Sequence, residues 1–450
     1  MASERNEDAG GGESPAVEEK VAGAATRAGA AGEGPRDAPV LPQTAELAAM
    51  LREATERLAR ELAQPSDQPP AWSPLGWRVA MAAAVIHGIA GLLADRLHWQ
   101  GPPVWQAFLA DQRLQMARRE RRIRDVLLYI DLEARRDRLP VIGLKGSALL
   151  EVALYAPGQR PMADIDLLVR PEDRQAALGM LARLGYRPEV DTGRHLTLLP
   201  ASYQPGGPVH FGEHADHAVK IELHTRISEP LPVNAVDITA RILTPATAPG
   251  LRPYPGQAAL MRHLILHAAG NMRTHSLRLI QLHDLAQMAD RLTESDWRLL
   301  GGGGEGLQGD PAWWALPPLR MAQRYFPLSA IDEHRLRAFA TGCPPWLQRH
   351  ARRASLTELS VARLLVPALP GLAWSRHPTD AIRLMRDRLW PGREMAKRFR
   401  DVRGSQPWLR NDAWSHRSRL RRMVSWLAGA PAGAPARFSV QQALAYGEPG

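Results

Sequence analysis

The segment from Pro140 to about residue 230 constrains this chain most, because short apolar strands alternate there with short helical stretches and tight turns. "VIGL" (141–144) reads as a strand ending in a Lys145-Gly146-Ser147 turn, and a helix follows over 147–154. A strand at 164–169, a helix at 172–184 and a strand at 195–199 come next, then a Gly/Pro-rich loop and a last strand at 218–227. Alternation of this kind with short connections specifies a mixed α/β unit. Within it, "DIDLLV" sets two acids into an apolar run. In a strand, Ile165, Leu167 and Val169 face one way and Asp164 and Asp166 the other. Two carboxylates so spaced lie roughly 7 Å apart at Cα and can converge on a cation. Left bare on a half-buried face they repel, and one of them keeps its proton. Hard oxygen ligands in this number suit Mg²⁺ or Mn²⁺ held together with substrate phosphates.

The strand "AVKIELHTRI" supplies a third acid by the same alternation: Lys220, Glu222 and His224 share the face opposite Ile221 and Leu223. If this strand pairs beside 164–169, Glu222 stands next to the two aspartates. Gly146 and Ser147 sit where a strand ends and a helix begins, a place where backbone N–H groups and the helix dipole receive phosphate. Cation usage adds a finer signal. Of the 57 basic residues only Lys20, Lys145, Lys220 and Lys397 are lysines. A compact ammonium is therefore retained at two positions flanking these acids.

The 45% hydrophobic and 23% charged residues describe a globular chain, and 450 residues exceed one ordinary core. The expected organisation is a disordered Ala/Gly/Glu-rich tail (1–44), a helical region (45–139), the α/β core (140–245), a helical C-terminal domain (257–427) and a flexible tail (428–450). Helices are predicted over 76–97, 104–138, 257–270, 276–292 and 296–300, and "TPATAPGLRPYPG" reads as a linker. The fold class is thus α+β: a small mixed sheet with helices, flanked on both sides by mainly helical regions. The acidic start of the chain has no apolar core, and the uncharged, Ala-rich run at 79–94 is short for a bilayer. The single Cys343 excludes an internal disulfide and a cysteine-cluster metal site. A cytoplasmic location is expected.

The ordered set "LKGSAL", Arg160, "DIDLLV", "LGY", "IELH", "LIQLHDLA" and "LWPGREMAKRF" resembles a family of uncharacterised bacterial nucleotidyltransferases, of the DNA polymerase β-like superfamily. The likeness runs over roughly residues 76–400. Sixteen residues (148 to 163) separate the Gly-Ser pair from Asp164, more than in compact members of the superfamily, and Ala163 stands where glycine often precedes the first aspartate. The resemblance implies a nucleotidyltransferase-type sheet and transfer of an NMP from an NTP to a hydroxyl acceptor, with Mg²⁺ (or Mn²⁺) as cofactor. It implies that Asp164, Asp166 and Glu222 are catalytic and hold metal. It makes Gly146 and Ser147 the phosphate cradle, with Lys145 and Arg160 as phosphate cations. The acceptor, whether small molecule, peptide or protein, is left open. Two other readings stand beside this one: an inactive adaptor of the same fold that binds a protein partner or nucleotide, and an RNA-directed transferase.

The RNA reading draws on charge. Between Arg376 and Arg422, fourteen Arg/Lys face five Asp/Glu, and Trp374, Trp390, Trp408, Trp414 and Trp426 are spread through this Arg-rich region and its flanks. Nucleic acid or a membrane surface contacted by an amphipathic helix at 413–427 would suit it, but a helical subdomain with a solvated Arg face is the favoured reading. Histidines are also dense: His195, His210, His214, His217 and His224 fall close together. Imidazoles are zinc ligands, yet the Gly/Pro-rich loop holding three of them lacks cysteines and reads as a surface loop. His263 and His267, with His283-Asp284, echo a phosphohydrolase motif whose remaining ligands are not evident. Asp284 is expected to anchor helix packing behind the catalytic face.

Overall fold

The alternation around Asp164 is realised in a six-stranded mixed sheet with the order β3-β4-β5-β2-β1-β8. Its strands are β1 (Pro140–Gly143), β2 (Asp164–Leu168), β3 (Tyr186–Asp191), β4 (Leu196–Pro200), β5 (Lys220–His224) and β8 (Gly250–Arg252). A separate hairpin pairs β6 (Ser228–Pro230) with β7 (Ala235–Asp237). The computed structural model describes residues 41–204, 210–301, 312–367, 369–389, 417, 421 and 432–447. β2 and β5 run parallel, with Asp164 opposite Lys220 and Asp166 opposite Glu222. β1 is antiparallel to β2 and parallel to β8.

Each face of the sheet has its own core. Ile165, Leu167, Val169, Ile221 and Leu223 pack on Ile123, Ile130 and Ala134 of α4 (Pro103–Arg136), and on Ala177, Met180 and Leu181 of α6 (Arg174–Arg183). The other face, with Ile142, Leu144 and Leu168, joins a larger core built from helices on both sides in sequence. That core includes α1 (Thr44–Ala63), α2 (Pro74–His87), α7 (Gln257–Thr274), α8 (Leu279–Ala289) and α10 (Leu316–Tyr325). In α1 the buried Leu47, Leu51, Ala54, Leu58 and Leu62 recur at helical spacing, so one stripe faces inward. The fold is α+β, with mainly helical regions before and after the sheet.

Three local features differ from expectation. The helix predicted over 76–97 breaks at Gly88, which takes a left-handed φ of 66°. A short α3 (Ala90–Arg96) then leaves α2 at 113°. No single helix among the described residues is long and apolar enough to cross a membrane. The Pro/Gly run read as a linker supplies β8, because its short stretch of backbone can complete an edge beside β1. The tail expected to be flexible contains α14 (Ala434–Ala445), whose Ala436, Val440 and Ala443 are buried in the larger core. Small side chains let this helix lie close on α2, and Arg78 of α2 caps its end by donating to Ala443 O at 3.1 Å. Of the interleaved tryptophans, Trp374 is a buried core residue. Trp390, Trp408, Trp414, Trp426 and, but for residues 417 and 421, the helix proposed at 413–427 lie outside the described residues, as do residues 1–40 of the N-terminal tail.

One side chain fixes the relation between the two acid-bearing strands. Arg119 of α4 is 2% exposed. It donates to Met162 O at 2.7 Å, Ala163 O at 2.8 Å, Ala218 O at 3.1 Å and also to His217 O. Its charge is matched by Glu213 at 2.8 Å. The four carbonyls precede β2 and β5, so a single guanidinium holds the entry points of both parallel strands. Five fixed N–H donors make arginine suited to such a node.

Candidate active site

The strand register brings Asp164, Asp166 and Glu222 onto one face, because Asp166 and Glu222 are direct partners across β2 and β5. The Lys145 Nζ donates to Asp166 Oδ1 at 2.7 Å, and His224 Nε2 lies 3.0 Å from the same oxygen. His224 Nε2 is also 3.7 Å from Glu222 Oε2, which in turn lies 3.4 Å from His195 Nδ1. Thr197 of β4 pairs with Glu222 in the sheet, which places β4 and His195 beside it. Behind Lys145, its backbone N–H donates to the Tyr254 hydroxyl at 3.3 Å, and that hydroxyl is 2.6 Å from His263 Nδ1.

The two aspartates are pushed in opposite directions. Burial, then the neighbouring Asp166 and Glu222 charges, raise the Asp164 carboxyl to about 7. Burial also pushes Asp166 upward, but the Lys145 ammonium and the His224 hydrogen bond outweigh it and hold that carboxyl well below the usual range. Burial lowers Lys145, yet Asp166, Asp164 and Glu222 leave its ammonium raised overall. His224 is raised for the same reason, by Asp166 and Glu222 against burial. His195 is lowered, with burial as the main cause. Two titratable groups split in this way characterise sites in which one carboxyl and one carboxylate have different tasks.

The split has a measurable consequence. Between the unfolded value of 3.8 and the folded value of about 7, the unfolded chain has released a proton that folded Asp164 retains. Stability therefore falls as pH rises through that window and levels off above it. Metal-free wild type should lose stability relative to Asp164→Asn from about pH 4 to pH 7, with no further divergence at pH 8. Thermal unfolding of both chains at pH 5 and pH 8 measures this. A gap of equal size at both pH values contradicts it.

The phosphate-side candidates fare differently. Lys145 takes a left-handed φ of 44°, unusual for a residue with a side chain, in the turn that precedes α5 (Gly146–Glu151). Its ammonium is engaged by Asp166, so its described contact is to a carboxylate. The Ser147 backbone N–H, expected to face phosphate, is used on Leu144 O at 3.0 Å because the turn closes tightly. The Ser147 hydroxyl is buried and has no hydrogen-bond partner among the described residues. A Cβ on Gly146 would come within 3.2 Å of Arg160 Nη1 and 3.1 Å of Met162 Cε, so glycine lets the guanidinium approach the turn.

Arg160 itself is held by Asp284 of α8 through two bonds, Nε to Oδ1 at 2.9 Å and Nη2 to Oδ2 at 2.8 Å. Tyr155 donates to Asp284 Oδ1 at 2.8 Å and lies 2.8 Å from His283 Nδ1. Asp284 thus anchors α8 to the loop before β2, and it leaves only Nη1 of Arg160 near Gly146. His263 and His267 are driven down by burial, His267 to about 3. His263 is a buried imidazole that meets Tyr254, and His267 is partly buried beside Asn271.

Sequence reasoning did not assign His195 or His224 to the site. His224 was detectable, since it shares the Glu222 face of β5. His195 was not, because it precedes β4 and meets Glu222 only through the β4–β5 pairing.

The donor set fits a hard divalent cation. The Asp164 carboxylate accepts no hydrogen bond from any described residue, while it sits with two other carboxylates. A cation there relieves the repulsion that raises Asp164. Among the described residues His195, Glu222 and His224 also offer ligand atoms within 4.8 Å of one another.

No curated protein and no solved structure matches the chain. A family model described as "Uncharacterised nucleotidyltransferase" matches residues 73–301, just over half of the 450. The matched span opens at Ser73, the N-cap of α2, and closes at Gly301, which ends α9 (Glu294–Leu300). It contains Lys145, Gly146, Ser147, Arg160, Asp164, Asp166, Glu222 and Asp284; the "LWPGREMAKRF" stretch lies beyond it. The chain belongs to this family of uncharacterised nucleotidyltransferases.

Proposed function

We propose that the protein transfers an NMP from an NTP to a hydroxyl acceptor with release of pyrophosphate, using Mg²⁺ (or Mn²⁺). The observation that carries this reading is Asp164, raised by burial and by its acidic neighbours, beside Asp166 and Glu222 on two adjacent parallel strands. Divalent ions bound there supply charge neutralisation of the triphosphate and of the departing pyrophosphate.

The chain's own residues then have separate tasks. Asp164 and Asp166 hold the ions. Lys145 and His224 keep Asp166 ionised and aimed, through one of its oxygens. Glu222, steadied by His195 and His224, faces the acceptor and takes its proton as the acceptor oxygen bonds to the α-phosphorus. The bond from the α-phosphorus to the bridging oxygen breaks at the same centre, and its electron pair leaves with pyrophosphate. On the other side the Ser147 hydroxyl, the Gly146 end of the helix and Nη1 of Arg160 face the phosphates.

A panel of NTPs with Mg²⁺ or Mn²⁺, read by nucleotide binding and by pyrophosphate release in the presence of cell extract, tests the reading. Metal-dependent binding with release of pyrophosphate is the expected result. Binding without transfer to any acceptor points to the adaptor alternative, and absence of NTP binding removes the nucleotidyl-transfer reading.

A further inference from the structure

The loop that leads into β5 carries a second constellation that nucleotidyl transfer leaves unused. His210, His214 and Asp216 offer ligand atoms within 4.8 Å of one another. The His210 and His214 rings stack with centroids 3.6 Å apart and planes within 7°. The His217 ring lies 5.8 Å from one and 6.0 Å from the other. No hydrogen bond or ion pair among the described residues joins these imidazoles to Asp164, Asp166 or Glu222.

This loop is anchored, despite its Gly-rich composition. Gln112 of α4 donates to Phe211 O at 3.2 Å and Glu213 O at 3.3 Å, and accepts from Glu213 N at 2.9 Å. Gln115 accepts from Ala215 N at 3.1 Å, Arg122 donates to Ala215 O, and Arg119 donates to His217 O. Helix α4 therefore fixes the backbone at four residues of the loop. Ordering a ligand set is a large part of the cost of binding, and here the scaffold has already met it. The imidazoles also gather beside a pocket of about 350 Å³, which Asp111, Phe211, Gln442 and Tyr446 line together with His210 and His214.

We propose that His210, His214 and Asp216 bind a divalent first-row transition metal, Zn²⁺ being the probe, at a site separate from the Asp164–Asp166–Glu222 face. Two imidazole nitrogens and one carboxylate oxygen are a donor set for zinc-like ions, whereas Mg²⁺ prefers oxygen alone. The rings are parallel and close enough that one ligand atom of each lies within 4.8 Å of an Asp216 oxygen, so binding needs a turn of the side chains toward a common point. The ion clips a loop whose backbone continues through His217 into β5, and it does so beside Gln442 and Tyr446 from the α14 end of the chain. Its consequence is therefore added thermal stability, independent of turnover.

The test uses the full chain stripped with chelator and titrated with Zn²⁺ by calorimetry, with Co²⁺ absorption as a reporter of imidazole ligation. It is run in wild type and in Asp164→Asn/Asp166→Asn/Glu222→Gln, which takes the three carboxylates from the catalytic face and breaks the His195–Glu222–His224 set. At least one equivalent in wild type, and one equivalent with a raised Tm in the triple variant, is expected. His210→Gln/His214→Gln should weaken that binding by more than about 100-fold, beyond the cost of losing an outer-shell partner. The milder Asp216→Asn serves if the double variant melts early without metal. Absence of Zn²⁺ uptake in the Asp164→Asn/Asp166→Asn/Glu222→Gln background overturns the proposal. So does binding in the ligand variants that stays within that factor of wild type.

Discussion

Asp164→Asn is expected to lower metal-dependent pyrophosphate release by about 10³-fold, the scale on which removing one pre-organised charge acts at a transition state. The fold should not suffer. Asparagine keeps the shape of the side chain, and the Asp164 carboxylate accepts no hydrogen bond from a described residue that its loss could orphan. Removing one of three mutually repelling acids also relieves the strain that raises its pKa. Asp166→Asn should abolish activity to a similar degree for a different reason, because it strips Lys145 and His224 of their shared partner. A half-buried ammonium then lacks its closest counter-charge, so this variant loses stability as well. Pyrophosphate release measured beside circular-dichroism melts separates the two. Activity of Asp164→Asn within tenfold of wild type contradicts the assigned role.

The second large effect concerns stability. Arg119→Met should destabilise the protein by about 3–5 kcal/mol, as breaking a buried pair by removing one partner does. The loss has two parts. Four carbonyls ahead of β2 and β5 lose their donor, and Glu213, 11% exposed at its side chain, loses its counter-charge. Methionine fills much of the aliphatic volume, so the deficit is polar and not a cavity. The double variant Arg119→Met/Glu213→Gln should recover part of the loss, since the stranded carboxylate is gone. Denaturant unfolding measures both. A loss under about 1 kcal/mol for Arg119→Met, comparable to an exposed ion pair, rejects the bracing role.

How much of this was legible in the sequence depended on the range of the interaction. Asp164, Asp166 and Glu222 were readable because a period of two within a strand sorts side chains onto faces, and the family-like order of motifs supplied the pairing. The α7, α8 and α9 segments were readable from apolar periodicity. β8 was not, since three residues within a Pro/Gly run carry no pattern and gain a strand only from the exposed edge of β1. α14 was hidden by its Ala/Pro/Gly composition, which looks loose in isolation but suits close packing on α2. The split between the aspartates was beyond sequence reading as well. It arises because Lys145, from the turn before α5, and His224 both engage Asp166 and not Asp164. Arg160 was expected to be a phosphate cation, and its main partner in the structure is Asp284, more than a hundred residues downstream.

The central claim is that this face moves a nucleotidyl group, and the position of a radiolabel tests it most directly. The full chain is incubated with Mg²⁺ or Mn²⁺, extract of the cells that make it, and NTP labelled on either the α- or the γ-phosphate. The account predicts acid-stable transfer of the α-label to an acceptor in wild type, none of the γ-label, and neither with Asp164→Asn. Transfer of the γ-label, or α-label transfer that persists undiminished in Asp164→Asn, contradicts it.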